Sequence, residues 1–348
     1  MLKAAVAGVG RMGQGHIGIY RTLMKEGYPV KLVALCDVDE DKFKGFKNYK
    51  VNLADSKDIE NEKTDYKNYN LYTCIDEMLK NEELDVINVV VPTFVHEEVS
   101  IKALKTGVNV LCEKPMALTV ESCQRMIDAA KESGKLLMIG QCLHFWHEYE
   151  VLKEFVESGK FGKVTAADFY RGGAADHVNN PSWRNWIIQR EYGGGGLFDQ
   201  HIHDTDMIRW LFGTPDAVST RGVTIRPGSA YDICSTNYYY DDKVVSARDD
   251  TTYCGQYGFK YGFTVNFEKA SVTFHDRDMW VYPEDAEAYM VDKSPNAGGH
   301  YGEIKYFLDC VRNNTSTDKC KSEGAMETIR ICLAEMESAD NAGSVVKL

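Results

Sequence analysis

The stretch that decides the fold stands near the start of the chain: Val6-Ala7-Gly8-Val9-Gly10-Arg11-Met12-Gly13. Its glycines have the spacing GxGxxG, follow an apolar run typical of a β-strand, and precede a helical periodicity that reaches about Glu26. In that setting Gly8 permits a tight turn, Gly10 lets the backbone approach a diphosphate, and Gly13 lets the helix pack closely on the strand. The free N–H groups at the helix start would bind phosphate oxygens. The stretch therefore predicts a turn that binds a dinucleotide.

Strands and helices alternate through the first half of the chain, which is the pattern of βαβ units and of a parallel sheet. The predicted strands are residues 3–7, 31–36, 86–91, 109–112 and 136–139. We therefore predict an α/β Rossmann domain over residues 1–142, with the dinucleotide at the carboxyl ends of its strands. The polar stretch 39–70 is interpreted as a surface helix and loop without chemistry.

The pattern changes after residue 142, and residues 143–348 are predicted to form a second domain for substrate binding and oligomerisation. Successive strands with turn signals between them run from about residue 216 to 282, so this domain is predicted to be α+β with a large, mainly antiparallel open sheet. The predicted helices are residues 149–158, 197–212, 301–312 and 325–338. The two terminal helices either close this domain or pack back on the first.

Charge and cysteine usage exclude several classes of partner. The 348 residues contain 40 Lys plus Arg against 52 Asp plus Glu, a net charge of -12 that repels nucleic acid and anionic membranes. The ten cysteines are scattered without CxxC spacing, which is typical of free thiols in a reducing cytosol. The chain shows neither a signal-peptide core nor a run long enough to span a bilayer. We therefore expect a soluble, cytoplasmic protein with a small-molecule substrate.

An acidic residue follows the second predicted strand, and it bears on the choice of cofactor. Asp37 stands where a carboxylate would accept hydrogen bonds from an adenosine ribose and repel a 2'-phosphate, which favours NAD over NADP. In the competing interpretation Asp37 only caps a loop. Arg11, which with Met12 belongs to the predicted binding turn, leaves room for a phosphate, so NADP stays an alternative.

Two further strand ends complete the predicted cofactor site. Pro92 turns the chain after the third strand, and we predict that Thr93 and His96 contact the cofactor there. The next strand ends in Glu113-Lys114-Pro115, and Glu113 and Lys114 are also predicted to contact the cofactor. A lysine beside the nicotinamide position could draw charge from a reacting oxygen; otherwise it is a surface charge.

Glu113-Lys114-Pro115, with Pro92-x-x-x-His96 upstream and the glycine run 193–196 downstream, resembles the Gfo/Idh/MocA family of glucose–fructose oxidoreductase and inositol dehydrogenase. The resemblance covers essentially the whole chain. It implies that Lys114 contacts both the reacting hydroxyl and the cofactor, and that the Lys114-Pro115 peptide is cis. The family signature GGGxLxDxGxHxxD matches residues 193–206, so its Asp and His fall on Asp199 and His203. His201 departs from the signature, which has glycine there.

The spacing of this second signature agrees with a catalytic role. Asp199 and His203 are four residues apart and would share one face of a helix, where Asp206 could orient the histidine ring. An imidazole titrates near neutral pH and so accepts a hydroxyl proton well. His201 would point away from His203, which argues against a His-x-His metal pair. In a less favoured alternative a metal gathers side chains of the same region, namely Asp199, His203, Asp206 and His144 or His147.

Aromatic residues of the second half allow two interpretations. Tyr170-Arg171, Asp176-His177 and residues 183–186 would form either sugar-binding walls or a hinge and a core. Residues 238–240, three consecutive tyrosines, are interpreted as a sheet face or an oligomer contact. The resemblance implies a homodimer or homotetramer formed through the open sheet.

Together these features predict an NAD(P)-dependent oxidoreductase that transfers hydride between nicotinamide and a secondary alcohol or ketone of a sugar, inositol or related polyol. His203 would take the hydroxyl proton, Lys114 would stabilise the oxyanion, and Asp199 would hold the substrate or the histidine. The first alternative is a glycoside hydrolase or lyase that uses bound NAD through transient oxidation. The second is a non-catalytic dinucleotide sensor, against which the joint presence of these three side chains argues.

Overall fold

The chain divides into two units, and it crosses from one to the other more than once. The computed structural model describes residues 1–44, 64–173, 183–293 and 298–348. The first unit comprises Met1–Phe145 and Asn296–Met326, and the second comprises Trp146–Pro295 and Glu327–Leu348. The segment 296–326, far along the chain, therefore belongs to the same unit as the glycine-rich turn.

The sheet of the first unit is parallel and has six strands in the order β3-β2-β1-β4-β5-β6. This order is that of a Rossmann fold, as predicted. The strands are β1 (Leu2–Ala7), β2 (Val30–Cys36), β3 (Asn70–Tyr72), β4 (Val86–Val89), β5 (Asn109–Glu113) and β6 (Leu137–Gly140). Because all six run in one direction, the residues that follow β1, β4 and β5 lie at one edge of the sheet.

Five helices accompany this sheet among the described residues: α1 (Arg11–Lys25), α2 (Ile75–Asn81), α3 (His96–Lys105), α4 (Val120–Ser133) and α7 (Gly299–Asn313). Helix α4 shows why these segments are helical: the Thr119 side chain accepts the Ser122 N–H at its start, and Gly134 ends it in the left-handed conformation. Helix α7 places Ile304 and Phe307 in the core that α1 and β1 also line. The C-terminal segment is therefore part of the first unit's core.

The second unit contains a nine-stranded sheet in the order β14-β13-β12-β11-β7-β10-β9-β8-β15. Only β7 and β10 pair in parallel among these described strands, so the sheet is mainly antiparallel, as predicted. Its strands are β7 (Val164–Gly172), β8 (Ala217–Val223), β9 (Ile233–Tyr239), β10 (Val244–Asp250), β11 (Lys260–Phe267), β12 (Ala270–His275), β13 (Asp278–Pro283), β14 (Tyr289–Met290) and β15 (Val346–Lys347).

Helical elements of the second unit are α5 (His147–Ser158), a π-helical turn (Leu197–His201), α6 (Ile202–Phe212) and most of α8 (Ser322–Asp340). Side chains alternate along the strands: in β9, Cys234, Thr236 and Tyr238 are buried whereas Tyr239 is exposed. Only one face of this sheet is thus fully covered. Within the described part of the chain, none of the helices is both long and apolar enough for a membrane span.

Candidate functional site

Two of the three glycines at the end of β1 and the start of α1 stand where no side chain fits. Gly8 has a φ of +93°, and a Cβ there would lie 2.2 Å from the Val90 carbonyl oxygen. A Cβ on Gly13 would lie 1.9 Å from the carbonyl oxygen of Gly8. Helix α1 therefore approaches the end of β1 more closely than any other residue type would allow.

Gly10, the middle glycine, faces open space instead. A Cβ on it would meet no atom of the residues that the structure describes within 4 Å. Gly10 is also the N-cap of α1 but offers no side-chain hydrogen bond, and the first turn of α1 contains no acidic residue. Arg11 and Met12, which begin the helix, are partly exposed. Uncapped N–H groups beside open space fit the diphosphate of a dinucleotide.

Asp37 is buried at the end of β2 and already has several donors. Its Oδ2 accepts the Val9 N–H at 2.7 Å, so it fixes the glycine-rich turn. The Lys42 ammonium lies 2.9 Å from Oδ2 and 3.1 Å from Oδ1. The sequence argument missed Lys42, because it assigned no chemistry to the polar stretch that contains it. A cation beside Asp37 reduces the repulsion that this carboxylate alone would exert on a 2'-phosphate.

The end of β5 carries Glu113 and Lys114, and the Lys114-Pro115 peptide is cis, as the resemblance implied. Glu113 is buried, and its Oε1 lies 2.9 Å from His16 Nε2. Burial raises the pKa of Glu113, but the hydrogen bond to His16 and the nearby charges of His300 and Lys114 outweigh it, so the pKa lies below its usual range. Glu113 is therefore ionised inside the unit. His16, on α1, was not identified from the sequence.

His96, predicted to contact the cofactor, is buried at the start of α3. Its Nδ1 lies 2.8 Å from the Pro115 carbonyl oxygen and its Nε2 lies 2.8 Å from that of Val91. Burial lowers the pKa of His96 despite these backbone contacts, so a neutral ring donates to one of the two carbonyls. Pro92 and the buried Thr93 stand between β4 and α3, at the same edge of the sheet.

Asp199 and His203 do not share one continuous α-helix, which corrects the prediction for residues 197–212. Leu197–His201 forms a π-helical turn, and α6 begins only at Ile202. Asp199 and His203 are nevertheless partly exposed, whereas His201 between them and Asp204 after them are buried. A π-helical turn inside a helix often marks a functional site. The two predicted catalytic side chains are thus on the accessible side of a mostly buried segment.

Buried ion pairs hold His201, which lies between Asp199 and His203, and Asp204, which follows His203. His201 Nε2 lies 3.3 Å from Glu335 Oε1, and the Arg171 guanidinium contacts both oxygens of Asp204 at 3.0 and 3.2 Å. Burial would lower the pKa of His201, but Cys234 and Glu335 reverse this effect and raise it well above the usual range. His201 and Arg171 therefore have structural contacts. The predicted effect of Asp206 on His203 stays a prediction.

Asp249, on β10, was not identified from the sequence. It is 0% exposed, and neither carboxylate oxygen has a hydrogen-bond partner among the described residues. A Cβ on Gly196 would lie 3.7 Å from Asp249 Oδ2, so this carboxyl group lies against the start of the π-helical turn. Burial, with the charges of Asp204 and Asp199, raises the pKa of Asp249 well above its usual range. A protonated acid thus underlies the turn that carries Asp199.

The remaining candidates have different surroundings. Tyr170 stacks on His275 with ring centroids 5.5 Å apart. Asp176 and His177 lie outside the described residues, and Trp186 is partly exposed in a 3-10 turn. For the metal alternative, the described ranges contain no group of three or more His, Cys, Asp or Glu side chains arranged to hold an ion. His144 is buried in the first unit, with Nδ1 2.8 Å from the Lys319 carbonyl oxygen.

A Rossmann sheet with an uncapped glycine-rich turn, joined in one chain to a large antiparallel sheet, defines a class of NAD-binding oxidoreductases. Residues 2–141 match the profile described as "Oxidoreductase family, NAD-binding Rossmann fold", and residues 149–286 match the "GFO/IDH/MocA C-terminal domain". The chain therefore belongs to the Gfo/Idh/MocA family of oxidoreductases, and its cofactor is NAD.

Curated relatives and solved structures agree with this assignment. A 2,7-anhydro-N-acetylneuraminate hydratase of Mediterraneibacter gnavus is 34% identical over 44% of this chain and 42% of its own length. An inositol 2-dehydrogenase of Salmonella typhimurium is 25% identical over 60% of this chain and 54% of its own. The chain thus spans about half the length of these relatives. Levoglucosan dehydrogenase, solved with NADH and levoglucosan, shares the fold with a TM-score of 0.82 at 19% identity, over 99% of both chains.

Proposed function

We propose that the chain transfers hydride between NAD and a secondary alcohol or ketone of a sugar, an inositol or a related polyol. The observation that carries the proposal is the position of Lys114. It follows β5 directly, at the same edge of the parallel sheet as the turn between β1 and α1. Rossmann domains bind the dinucleotide along that edge, and an ammonium group there can stabilise negative charge on a reacting oxygen.

Bound NAD supplies or accepts the hydride, and the side chains of the protein handle the proton and the charge. His203 takes the proton of the reacting hydroxyl in oxidation and returns it in reduction. Lys114 donates a hydrogen bond to that oxygen as negative charge develops. Asp199 holds the substrate or orients the His203 ring. The partial exposure of Asp199 and His203 within a mostly buried segment supports these assignments.

The first step of the test is a screen for the substrate. Purified protein is incubated with NAD or NADP and a panel of sugars, inositols, sugar acids and 2,7-anhydro-N-acetylneuraminate, and NADH absorbance and product are followed together. His203→Ala and Lys114→Ala are each expected to lower turnover by about 10²–10⁴-fold while NAD binding stays nearly unchanged. Lys105→Ala, an exposed lysine in the last turn of α3, is the matched control. Unchanged turnover in both site variants would refute the assignment.

A second candidate function is a non-redox conversion of a sugar with NAD kept bound. The observation that favours it is that the 34% identical relative is a hydratase of an anhydro sugar. In such a reaction a transient oxidation is reversed within each turnover, so product forms without net NADH. Product without NADH accumulation would therefore favour this candidate. Tight NAD binding with no turnover of any compound would instead favour a dinucleotide sensor.

A further inference from the structure

A chain of buried hydrogen bonds runs from α1 to the end of β5. The Tyr20 hydroxyl donates to Asn88 Oδ1 at 2.8 Å, Asn88 Nδ2 lies 2.8 Å from His16 Nδ1, and His16 Nε2 lies 2.9 Å from Glu113 Oε1. All four residues are at most 7% exposed. Apolar side chains would fill this part of the core equally well. A continuous series of buried hydrogen bonds here therefore indicates a role beyond stability.

The donor roles in this chain follow from its ends. Burial raises the pKa of Tyr20, so the phenol keeps its proton and donates to the Asn88 carbonyl. The Asn88 amide nitrogen then donates to His16 Nδ1, which must carry a lone pair. His16 therefore has its proton on Nε2 and donates it to the Glu113 carboxylate. Each donor and acceptor in this series of hydrogen bonds therefore has a defined role, and the series fixes the orientation of Glu113.

Glu113 in turn holds the backbone of Lys114. Its second oxygen, Oε2, accepts the Lys114 N–H at 3.2 Å. A Cβ on Gly140 would lie 3.3 Å from each carboxyl atom of Glu113, so only glycine on β6 leaves this carboxylate its full space. On the other side of Lys114, the His96 ring contacts the Pro115 carbonyl oxygen. Buried histidines from two different elements thus act on the two residues that flank Lys114.

We propose that His16 and Glu113, with His96 on the opposite side, are positioning residues that hold the Lys114 turn in the orientation its reaction requires. The inference rests on the role of Lys114 proposed above. Because His16 would act through Lys114, its loss should reduce kcat and leave cofactor affinity in place. Misplacement of a catalytic group by about 1 Å is enough to reduce a rate about 10²-fold.

Two substitutions of His16 separate positioning from packing. The amide nitrogen of Gln reaches the place of Nε2, so His16→Gln keeps a donor for Glu113. The amide of Asn reaches only the place of Nδ1, so His16→Asn loses the contact with Glu113. We expect His16→Asn to lower kcat about 10–100-fold and His16→Gln to stay within about threefold of the unchanged protein. The dissociation constant of NAD should change by less than about threefold in both, as followed by protein fluorescence.

Tyr28→Phe is the matched control, since it removes a tyrosine hydrogen bond to Asp309 in the same unit but away from Lys114. Its melting temperature and those of both His16 variants are measured together. Equal losses of kcat in His16→Asn and His16→Gln, or a loss that simply follows the melting temperature, would overturn the proposal. Full activity of His16→Asn would do so as well.

A readout without substrate separates this inference from the proposed function. Reductive ¹³C-methylation of the holoprotein gives one NMR signal per accessible lysine, and Lys114→Ala identifies that of Lys114. The signal should move or broaden in His16→Asn and stay in place in His16→Gln. If Lys114→Ala keeps full turnover while the signal behaves as expected, the proposed function fails and the positioning holds. An unchanged signal in His16→Asn contradicts the positioning itself.

Discussion

The carboxyl groups at the described sites have surroundings that change their chemistry. Asp37 binds the Val9 N–H and the Lys42 ammonium, Glu113 is ionised beside His16, and Asp249 is buried with no hydrogen-bond partner in the described part of the chain. In each case the residue type alone would suggest an ordinary surface carboxylate. The surroundings decide which of these groups carries a charge and which carries a proton.

Lys42 is expected to influence the choice between NAD and NADP. Its ammonium offsets the charge of Asp37, so in Lys42→Ala the carboxylate repels a 2'-phosphate without compensation. The ratio of kcat/KM with NADP to that with NAD should fall by about tenfold. Lys44→Ala, which removes an exposed lysine paired with Asp41, should leave the ratio unchanged. An equal ratio in both variants would exclude Lys42 from cofactor selection.

Asp249 is expected to make stability depend on pH. Its pKa is raised in the folded state, so the folded protein holds a proton that the unfolded chain releases above the usual aspartate pKa. Stability present at low pH is therefore lost as pH rises toward the raised pKa, at up to about 1.4 kcal/mol per pH unit. Asp249→Asn cannot titrate, so its melting temperature relative to the unchanged protein should increase from pH 5 to pH 8. A constant difference over that range would contradict the burial argument.

At the scale of elements, helix α1 both packs on β1 and presents its start to a ligand, and a different glycine permits each. Gly13 lets the helix approach β1, whereas Gly10 leaves open space at the uncapped helix start. Similarly, the π-helical turn before α6 changes which side chains of the segment 197–212 are accessible. Local backbone geometry thus decides which residues of each signature face a ligand and which face the core.

Two alanine substitutions in α1 and its N-cap should have opposite effects. Gly13→Ala forces the helix away from the Gly8 carbonyl and should lower the free energy of unfolding by about 1–3 kcal/mol or more. Gly10→Ala meets no neighbouring atom, so it should leave stability within about 0.5 kcal/mol while weakening NAD binding by about tenfold or more. Denaturant unfolding and NAD titration measure the two effects. Normal NAD affinity in Gly10→Ala would show that the diphosphate does not approach this turn.

At the scale of the whole molecule, the nine-stranded sheet exposes large apolar side chains on its uncovered face. Tyr239 is 43% exposed, Trp280 is 38% exposed and Tyr282 is 46% exposed. Val244 pairs with Tyr239 across neighbouring strands and is also exposed. These side chains form two groups, one on β13 and one on β9 and β10, and exposed apolar groups of this kind occur at protein interfaces. They support the proposal, implied by the family resemblance, that the chain forms a homodimer or homotetramer through this sheet.

Trp280→Lys tests that proposal. A lysine on this exposed face would place an unpaired charge in a self-complementary interface and should convert the oligomer to monomer at micromolar concentration. Light scattering coupled to size-exclusion chromatography gives the mass. Leu71→Lys, an equally exposed apolar residue on β3 of the first unit, should leave the mass unchanged. If the protein without any substitution is already a monomer, the proposal is contradicted directly.

The sequence by itself determined the features that depend on neighbouring residues. Glycine spacing, apolar runs and turn signals predicted the Rossmann strands around Gly8–Gly13 and the antiparallel sheet of the second half. Residue order also predicted that Lys114 follows a strand, and the family resemblance implied that its peptide with Pro115 is cis. The continuous helix over residues 197–212 was wrong because a π-helical turn differs from an α-helix by one residue in its hydrogen bonding, which periodicity does not reveal.

Only the tertiary structure decided which distant residues become partners. His16 and Glu113 are 97 residues apart, and His201 and Glu335 are 134 apart. Strand order and the path of the chain bring them together, and for Glu113 and His201 the contacts with these partners outweigh the shift in pKa that desolvation alone would cause. Neither composition nor residue spacing encodes that desolvation. The sequence therefore identified Lys114, whereas only the folded structure identified His16 as the partner of Glu113 beside it.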